Sequence, residues 1–189
     1  MLIERQNSLL LVVDVQAKLA PAIFEGETAI QNNVRLLTAA RHFAIPGFIS
    51  EQYVRGLGPS VEALRNAATI ETKAGPRVDA HFFEKTHFSC TAEAGVLDKL
   101  KACDRSHVIL TGMEAHVCVL QTAFGLLANG FKVFLVADAS SSRTPENRRL
   151  AFERLQSAGV HLVSTEMVLF EWLEKADSAD FRKILPLIK

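Results

Sequence analysis

The stretch "HVILTGMEAHVCVLQTAFGLLANGFKVFLVA", residues 107–137, decides the fold. Two short runs rich in Val, Ile and Leu, "HVILTG" (107–112) and "KVFLVA" (132–137), flank the segment "VCVLQTAFGLLANG", whose apolar residues recur at three- and four-residue spacing. Short continuous apolar runs are the pattern of strands covered on both faces, and the segment between them is an amphipathic helix that stops at Gly130. Strand, helix and strand in that order form the unit of a parallel sheet.

The same alternation extends in both directions. Further strands are expected at "LLLVV" (9–13), "GFIS" (47–50), "HFFEK" (81–85) and "VHLVS" (160–164), which makes six. Helical periodicity marks "AIQNNVRLLTAARHF", "TAEAGVLDKLKAC" and "PENRRLAFERLQSAG". Thr144-Pro145-Glu146 reads as an N-cap, a first-turn proline and an acidic first turn, and Gly159 suits the end of the same helix. "RGLGPS" (55–60) reads as a loop, and the tail from Thr165 to Lys189 as one or two closing helices. The expectation is a single domain over residues 1–189, doubly wound, with a six-stranded and mostly parallel sheet between helical layers.

Composition narrows the function. Lys plus Arg and Asp plus Glu both number 21 in 189 residues, so no overall basic field exists for nucleic acid or anionic lipid. The apolar run near the N-terminus is short and broken by Asp14, which fits neither a membrane span nor a signal peptide. A cytoplasmic protein with a small-molecule substrate is expected. Cys90, Cys103 and Cys118 are odd in number and lack paired Cys/His spacing, which argues for reduced thiols and against a zinc site. No GxGxxG or P-loop pattern is present, and no cofactor is expected.

In open α/β sheets ligands bind beyond the carboxyl ends of the strands. Asp14 follows the first strand, Lys85 ends "HFFEK", and Cys118 comes just after "VILTGME". Taken singly each has an ordinary reading: a turn carboxylate, a solvated edge lysine, a small core thiol. Together they describe a nucleophile with a proton acceptor and a cation. A cysteine in the first turn of a helix meets the positive end of the dipole, which is expected to lower its pKa. Backbone N–H groups around "GMEAHVC" would be free to hold an oxyanion.

The segments "LLLVVDVQ", "EKTHFS", "LTGMEAHVCVLQTA" and "VADASSSRTPENRRLAFERLQSAGV" together resemble the isochorismatase-like cysteine hydrolases, most closely the isochorismatase domain-containing subgroup, which "EQYVRGLGP" also resembles. The resemblance runs in order over nearly the whole chain. It implies an α/β/α three-layer fold, an Asp14, Lys85, Cys118 triad, a non-proline cis peptide at Met113-Glu114, and an oxyanion hole from the N–H groups of Glu114 and Cys118. It also implies a homo-oligomer, a dimer or higher. The implied reaction is thiolate attack on an amide-like carbonyl, with a thioester-type intermediate.

Two departures shape the substrate expectation. Nicotinamidase-type relatives place metal-binding histidines after the second strand, where this chain reads "SEQYVRGLGP", so no metal is expected. Relatives that cleave a vinyl ether lack the cysteine that this chain keeps. Leu19, Gln52, Tyr53 and His116 are candidate pocket-lining residues, Tyr53 and Gln52 with ordinary loop readings beside the functional one. Cys90 has no strand-end carboxylate suggested beside it and reads as a packed thiol. Two other classes stand beside the hydrolase: a non-enzymatic partner-binding member that keeps the triad by descent, and a redox- or electrophile-sensing thiol protein.

Overall fold

The computed structural model describes residues 1–72, 75–78 and 80–188. Lys189, the last residue of the tail stretch, lies outside them. Six parallel strands form the central sheet: β1 (Ser8–Val13), β2 (Gly47–Gln52), β5 (Ala80–Lys85), β6 (His107–Met113), β7 (Lys132–Ser141) and β8 (His161–Val163). Their spatial order is β5-β2-β1-β6-β7-β8. Chain direction along the sheet therefore reverses between β1 and β6, and that is where a doubly wound sheet opens a crevice. A separate antiparallel pair, β3 (Thr69–Thr72) with β4 (Gly75–Val78), was not legible as strands in the sequence.

Period-two alternation sends the strand side chains into two cores. Leu10 and Val12 of β1, Ile109 of β6 and Phe134 of β7 face one layer, while Leu9, Leu11, Val108, Leu110 and Leu135 face the other. The first layer holds α1 (Gly26–His42), α7 (Thr165–Leu173) and α8 (Ala179–Ile188), through Leu36, Trp172 and Ile184 among others. The second holds α4 (Val96–Ala102), α5 (Leu120–Ala128) and α6 (Pro145–Ser157), through Leu100, Leu126 and Leu155. The tail thus forms two helices. Trp172, fully buried, donates its indole N–H to Ser8 Oγ at 3.1 Å, so the largest core side chain has its one polar atom satisfied.

Helix ends follow the sequence signals. Thr144 Oγ1 accepts from the Asn147 N–H at 3.2 Å with Pro145 at the first helical position of α6. Past α5, Phe131 N–H donates to Leu126 O and Gly130 N–H to Leu127 O; Val160 and Gly159 repeat the arrangement past α6. The "RGLGPS" expectation needs correction in part, because its first residues lie in a one-turn helix α2 (Val54–Leu57) before the chain turns at Gly58, and α3 (Glu62–Ala67) follows. Fully buried Gln16 organises this turn: its Nε2 donates to Gln52 O at 3.0 Å and Gly58 O at 2.6 Å, and its Oε1 accepts from Gln52 N at 2.8 Å.

Near the crevice β6 and β1 approach closely. At Gly112 φ is +117°, and a Cβ would lie 2.0 Å from Val13 O, so no other residue fits there without displacing a central strand. β7 also runs longer than "KVFLVA", because a bulge shifts its register: Leu110 pairs with Leu135 but Gly112 with Ser140. The bulged backbone is held from both helical sides of its layer. Asn32 Nδ2 donates to Asp138 O at 2.8 Å, and the Thr165 N–H and hydroxyl donate to Asp138 Oδ1 at 2.8 and 2.9 Å. Its far end carries Ser141 and the following Ser142-Arg143 loop to the crevice.

Candidate active site

Three strand ends meet at the crevice. Asp14, immediately after β1, has a left-handed backbone (φ 53°), a conformation Asp tolerates better than most residues, and its N–H donates to Ser50 O at 3.1 Å. The carboxylate is fully buried. Lys85 Nζ donates to its Oδ2 at 2.7 Å and Ser50 Oγ to its Oδ1 at 2.6 Å. Lys85, also without side-chain exposure, donates further to Gln52 Oε1 at 2.6 Å and to the carbonyls of Phe88 and His87 at 3.1 and 3.3 Å. Such dense hydrogen bonding is what a buried ion pair requires. Burial pulls the ammonium's pKa down, but the Asp14 carboxylate and the thiols of Cys90 and Cys118 outweigh it and hold it above its ordinary value.

Cys118 comes from the other side of the crevice. β6 ends at Met113, the Met113-Glu114 peptide is cis, and Ala115–Val119 forms a π turn that leads into α5. The turn is closed by Val117 N–H and Val119 N–H, both donating to Glu114 O, at 3.1 and 3.2 Å. Single π turns inside helices recur at functional sites because the extra residue redirects one side chain. Here it brings the Cys118 side chain to the same cleft as Asp14.

The expected acidic thiol is corrected by this environment. Burial and the facing Asp14 carboxylate push Cys118 up to about 12, with Lys85 pulling the other way. Cys118 is 7% exposed, and the carboxylate of Asp14 shares its cleft. The thiol is therefore held protonated at rest, in the cleft where Lys85 donates to the Asp14 carboxylate. Proton transfer from sulfur to Asp14 becomes favourable only where negative charge on sulfur is being consumed by a bond to an electrophile.

Cys90 also needs correction. It is not remote from the strand-end carboxylate: burial raises its pKa to about 11, while Lys85 and Asp14 are near enough to act on it in opposite senses. Its N–H donates to Thr122 Oγ1 at 2.9 Å. Cys90 is fully buried, so it stands behind the crevice rather than in it. Cys103 is half-buried near the end of α4.

In front of Asp14 and Cys118 lies a cleft of about 270 Å³. Asp14, Cys118 and Gln52 form its polar floor, Leu19, Leu57, Phe88 and Val117 its apolar walls, and Glu114 with Arg143 its remaining side. Leu19 and Gln52 are among its lining residues. Tyr53 and His116 do not line it. Tyr53 is 58% exposed, its ring packed over Gly56, because the left-handed backbone at that residue (φ 40°) turns it away. His116 Nδ1 instead pairs with Ser142 Oγ at 3.0 Å.

Residues the sequence did not single out complete the cleft. Arg143 lies in the loop between β7 and α6, and its N–H and Nε both donate to Glu114 Oε2, at 3.1 and 3.0 Å. Phe88 arrives on the loop after β5, where Glu93 accepts from Thr86 N at 3.0 Å. That bond, with further hydrogen bonds from His87, holds the Glu93 carboxyl down to about 2. Among the described residues no cluster of His, Cys, Asp and Glu has the makings of a metal site, and no helix is long and apolar enough to cross a membrane.

The family model described as the isochorismatase domain matches residues 8–167. The chain is similar to isochorismatase domain-containing protein 2 of Danio rerio, 39% identical over 184 residues, which cover 97% of this chain and 87% of that protein. Among solved structures it is similar to the MAR1 ribonuclease of Caenorhabditis elegans, at 36% identity and a TM-score of 0.89 over 100% of this chain and 92% of that one. It is also similar to YcaC of Pseudomonas aeruginosa, solved with hexane-2,5-diol and covalent acrylamide, at 25% identity and a TM-score of 0.87 over 98% and 91% of the two chains.

Proposed function

The chain belongs to the isochorismatase domain family, and on that footing we propose that it is a cysteine hydrolase cleaving a small amide-like C–N bond. The observation that carries this reading is the buried Asp14 carboxylate, fixed by Lys85 and Ser50 in the cleft that Cys118 also lines. In the proposed first step Asp14 takes the Cys118 proton as the Sγ–C bond forms to the substrate carbonyl. The carbonyl electron pair moves to oxygen, where the N–H groups of Glu114 and Cys118 receive it. Collapse re-forms the carbonyl and breaks the C–N bond, and Asp14 returns its proton to the departing nitrogen. Water then attacks the thioester with Asp14 accepting its proton, and as the C–S bond breaks Asp14 returns that proton to Cys118 Sγ, giving the acid and the thiol. Lys85 keeps Asp14 oriented and its charge compensated throughout.

The covalent acrylamide in the structure of the Pseudomonas relative bears on nucleophile reactivity and not on amide cleavage, because acrylamide bonds to nucleophiles through its alkene. The name of the Caenorhabditis neighbour raises RNA as an alternative, but a cleft of about 270 Å³ with a single exposed cation at its side is a poor match for a polynucleotide backbone, which calls for a cationic track. Three free thiols fit a reducing, cytoplasmic setting, and a homo-oligomer is part of the same reading.

A panel of small primary amides, ureas and carbamoyl compounds, with RNA as a separate arm, tests the proposal by product release. Turnover of a panel member that disappears in Cys118→Ala is expected. Turnover that survives the alanine change, or cleavage of RNA alone, overturns it.

A further inference from the structure

We propose that the cleft selects substrates carrying a carboxylate a few atoms from the scissile amide, and that Arg143 is the residue that selects them. The inference rests on the reading of this cleft as the reacting site and adds the chemical class of what enters it.

At the floor of the cleft Asp14 is engaged by Lys85 and Ser50. Gln52 is engaged at both ends, its Oε1 accepting from Lys85 and its Nε2 donating to Thr86 O at 2.9 Å. Leu19, Leu57, Phe88 and Val117 offer only apolar surface. Arg143 differs. One edge of its guanidinium, through Nε, is tied to Glu114 Oε2, while Nη1 and Nη2 have no partner among the described residues.

Glu114 neutralises Arg143 in net charge, but the two are not equally available. The Arg143 side chain is 60% exposed and the Glu114 side chain 11%, so an incoming molecule meets the cation. The Glu114 bond also fixes the guanidinium plane, removing part of the ordering entropy that a free arginine would lose on binding. A guanidinium held at one edge accepts a carboxylate at its other edge with two parallel N–H···O bonds. The apolar residues that line the same cleft as Arg143 and Cys118 suit a short methylene spacer. The substrate class is therefore a small ω-amido acid: an amide at one end, an aliphatic body, a carboxylate at the other.

Binding to the Cys118→Ala protein, in which no thioester can form, tests this separately from the nucleophile assignment. Succinamate and glutaramate are each compared with neutral butyramide and valeramide by titration calorimetry or ligand-observed NMR. The carboxylates are expected to bind about tenfold or more tighter, with an advantage that shrinks as salt is added. Adding Arg143→Gln is expected to bring the ratio close to one, and Arg143→Lys to retain part of it. Equal binding of acid and neutral amide, a preference that survives Arg143→Gln, or no binding of either acid up to about 50 mM would overturn the proposal. If the preference holds while wild-type protein turns over none of these amides, the hydrolase reading fails and the carboxylate site stands.

Discussion

Replacing Asp14 by Asn should make Cys118 more reactive toward alkylating agents while abolishing turnover. The wild-type thiol sits near 12 because of burial and because the Asp14 carboxylate faces it. At an effective dielectric of about 20 and charge centres about 5 Å apart, that carboxylate raises the energy of the thiolate by roughly 3 kcal/mol. Removing the charge enlarges the thiolate population about a hundredfold at a given pH. At pH 9 a thiol with a pKa of about 12 is about one part in a thousand ionised, so the effect is well within range. The assay is iodoacetamide labelling between pH 7 and 10, followed by peptide mass mapping so that Cys103 and Cys90 are scored apart from Cys118. Lys85→Met should act with the opposite sign, slowing Cys118 labelling, because it removes the one charge that lowers the thiol's pKa. An Asp14→Asn protein that labels at Cys118 no faster than wild type would refute the reasoning, and would mean that the helix start, not the carboxylate, governs the sulfur.

Other outcomes follow from the same contacts. Ser50→Ala removes the 2.6 Å bond to Asp14 Oδ1, and steady-state kinetics should show kcat falling about ten- to a hundredfold, the worth of a hydrogen bond to a charged group; an unchanged kcat would count against a fixed Asp14. Gly112→Ala forces a Cβ into Val13 O and should cost about 4 kcal/mol or more in urea unfolding. Thr144→Ala should cost about 1 kcal/mol by the same measurement, through loss of the N-cap alone. The Glu93 carboxyl, ordinarily near 4.5 and held at about 2, gives a contribution fully present above 4.5 and lost as pH falls toward 2. Acid unfolding of Glu93→Gln should lack that part of the wild-type pH dependence.

What was legible in the sequence is what short-range pattern encodes. Runs such as "LLLVV" and "HVILTG" carry the strands because a sheet covered on both faces needs nothing but apolar side chains over that length, and the strands end within a few residues of where the runs end. Asp14, Lys85 and Cys118 were nameable because each closes or follows such a run, and the fold sets all three at one sheet edge. Contacts made across long sequence separations were not legible. Nothing local to Ser50 announces a hydroxyl bonded to a carboxylate 36 residues away, nor to Arg143 an ion pair with Glu114 across 29. The thiol's pKa was misjudged for a related reason: the helix start was visible in the sequence, but its π turn and the carboxylate it delivers Cys118 against are products of the assembled crevice.

The central claim is that Cys118 becomes bonded to the substrate's acyl carbon. Rapid-quench intact mass spectrometry during turnover of an active amide, with peptide mapping of the adduct, measures this directly. The account predicts a transient acyl mass on Cys118 that forms and decays at rates compatible with kcat and is absent from Cys118→Ala. Steady product release with no adduct at any quench time, or an adduct that maps to Cys90 or Cys103, would contradict it.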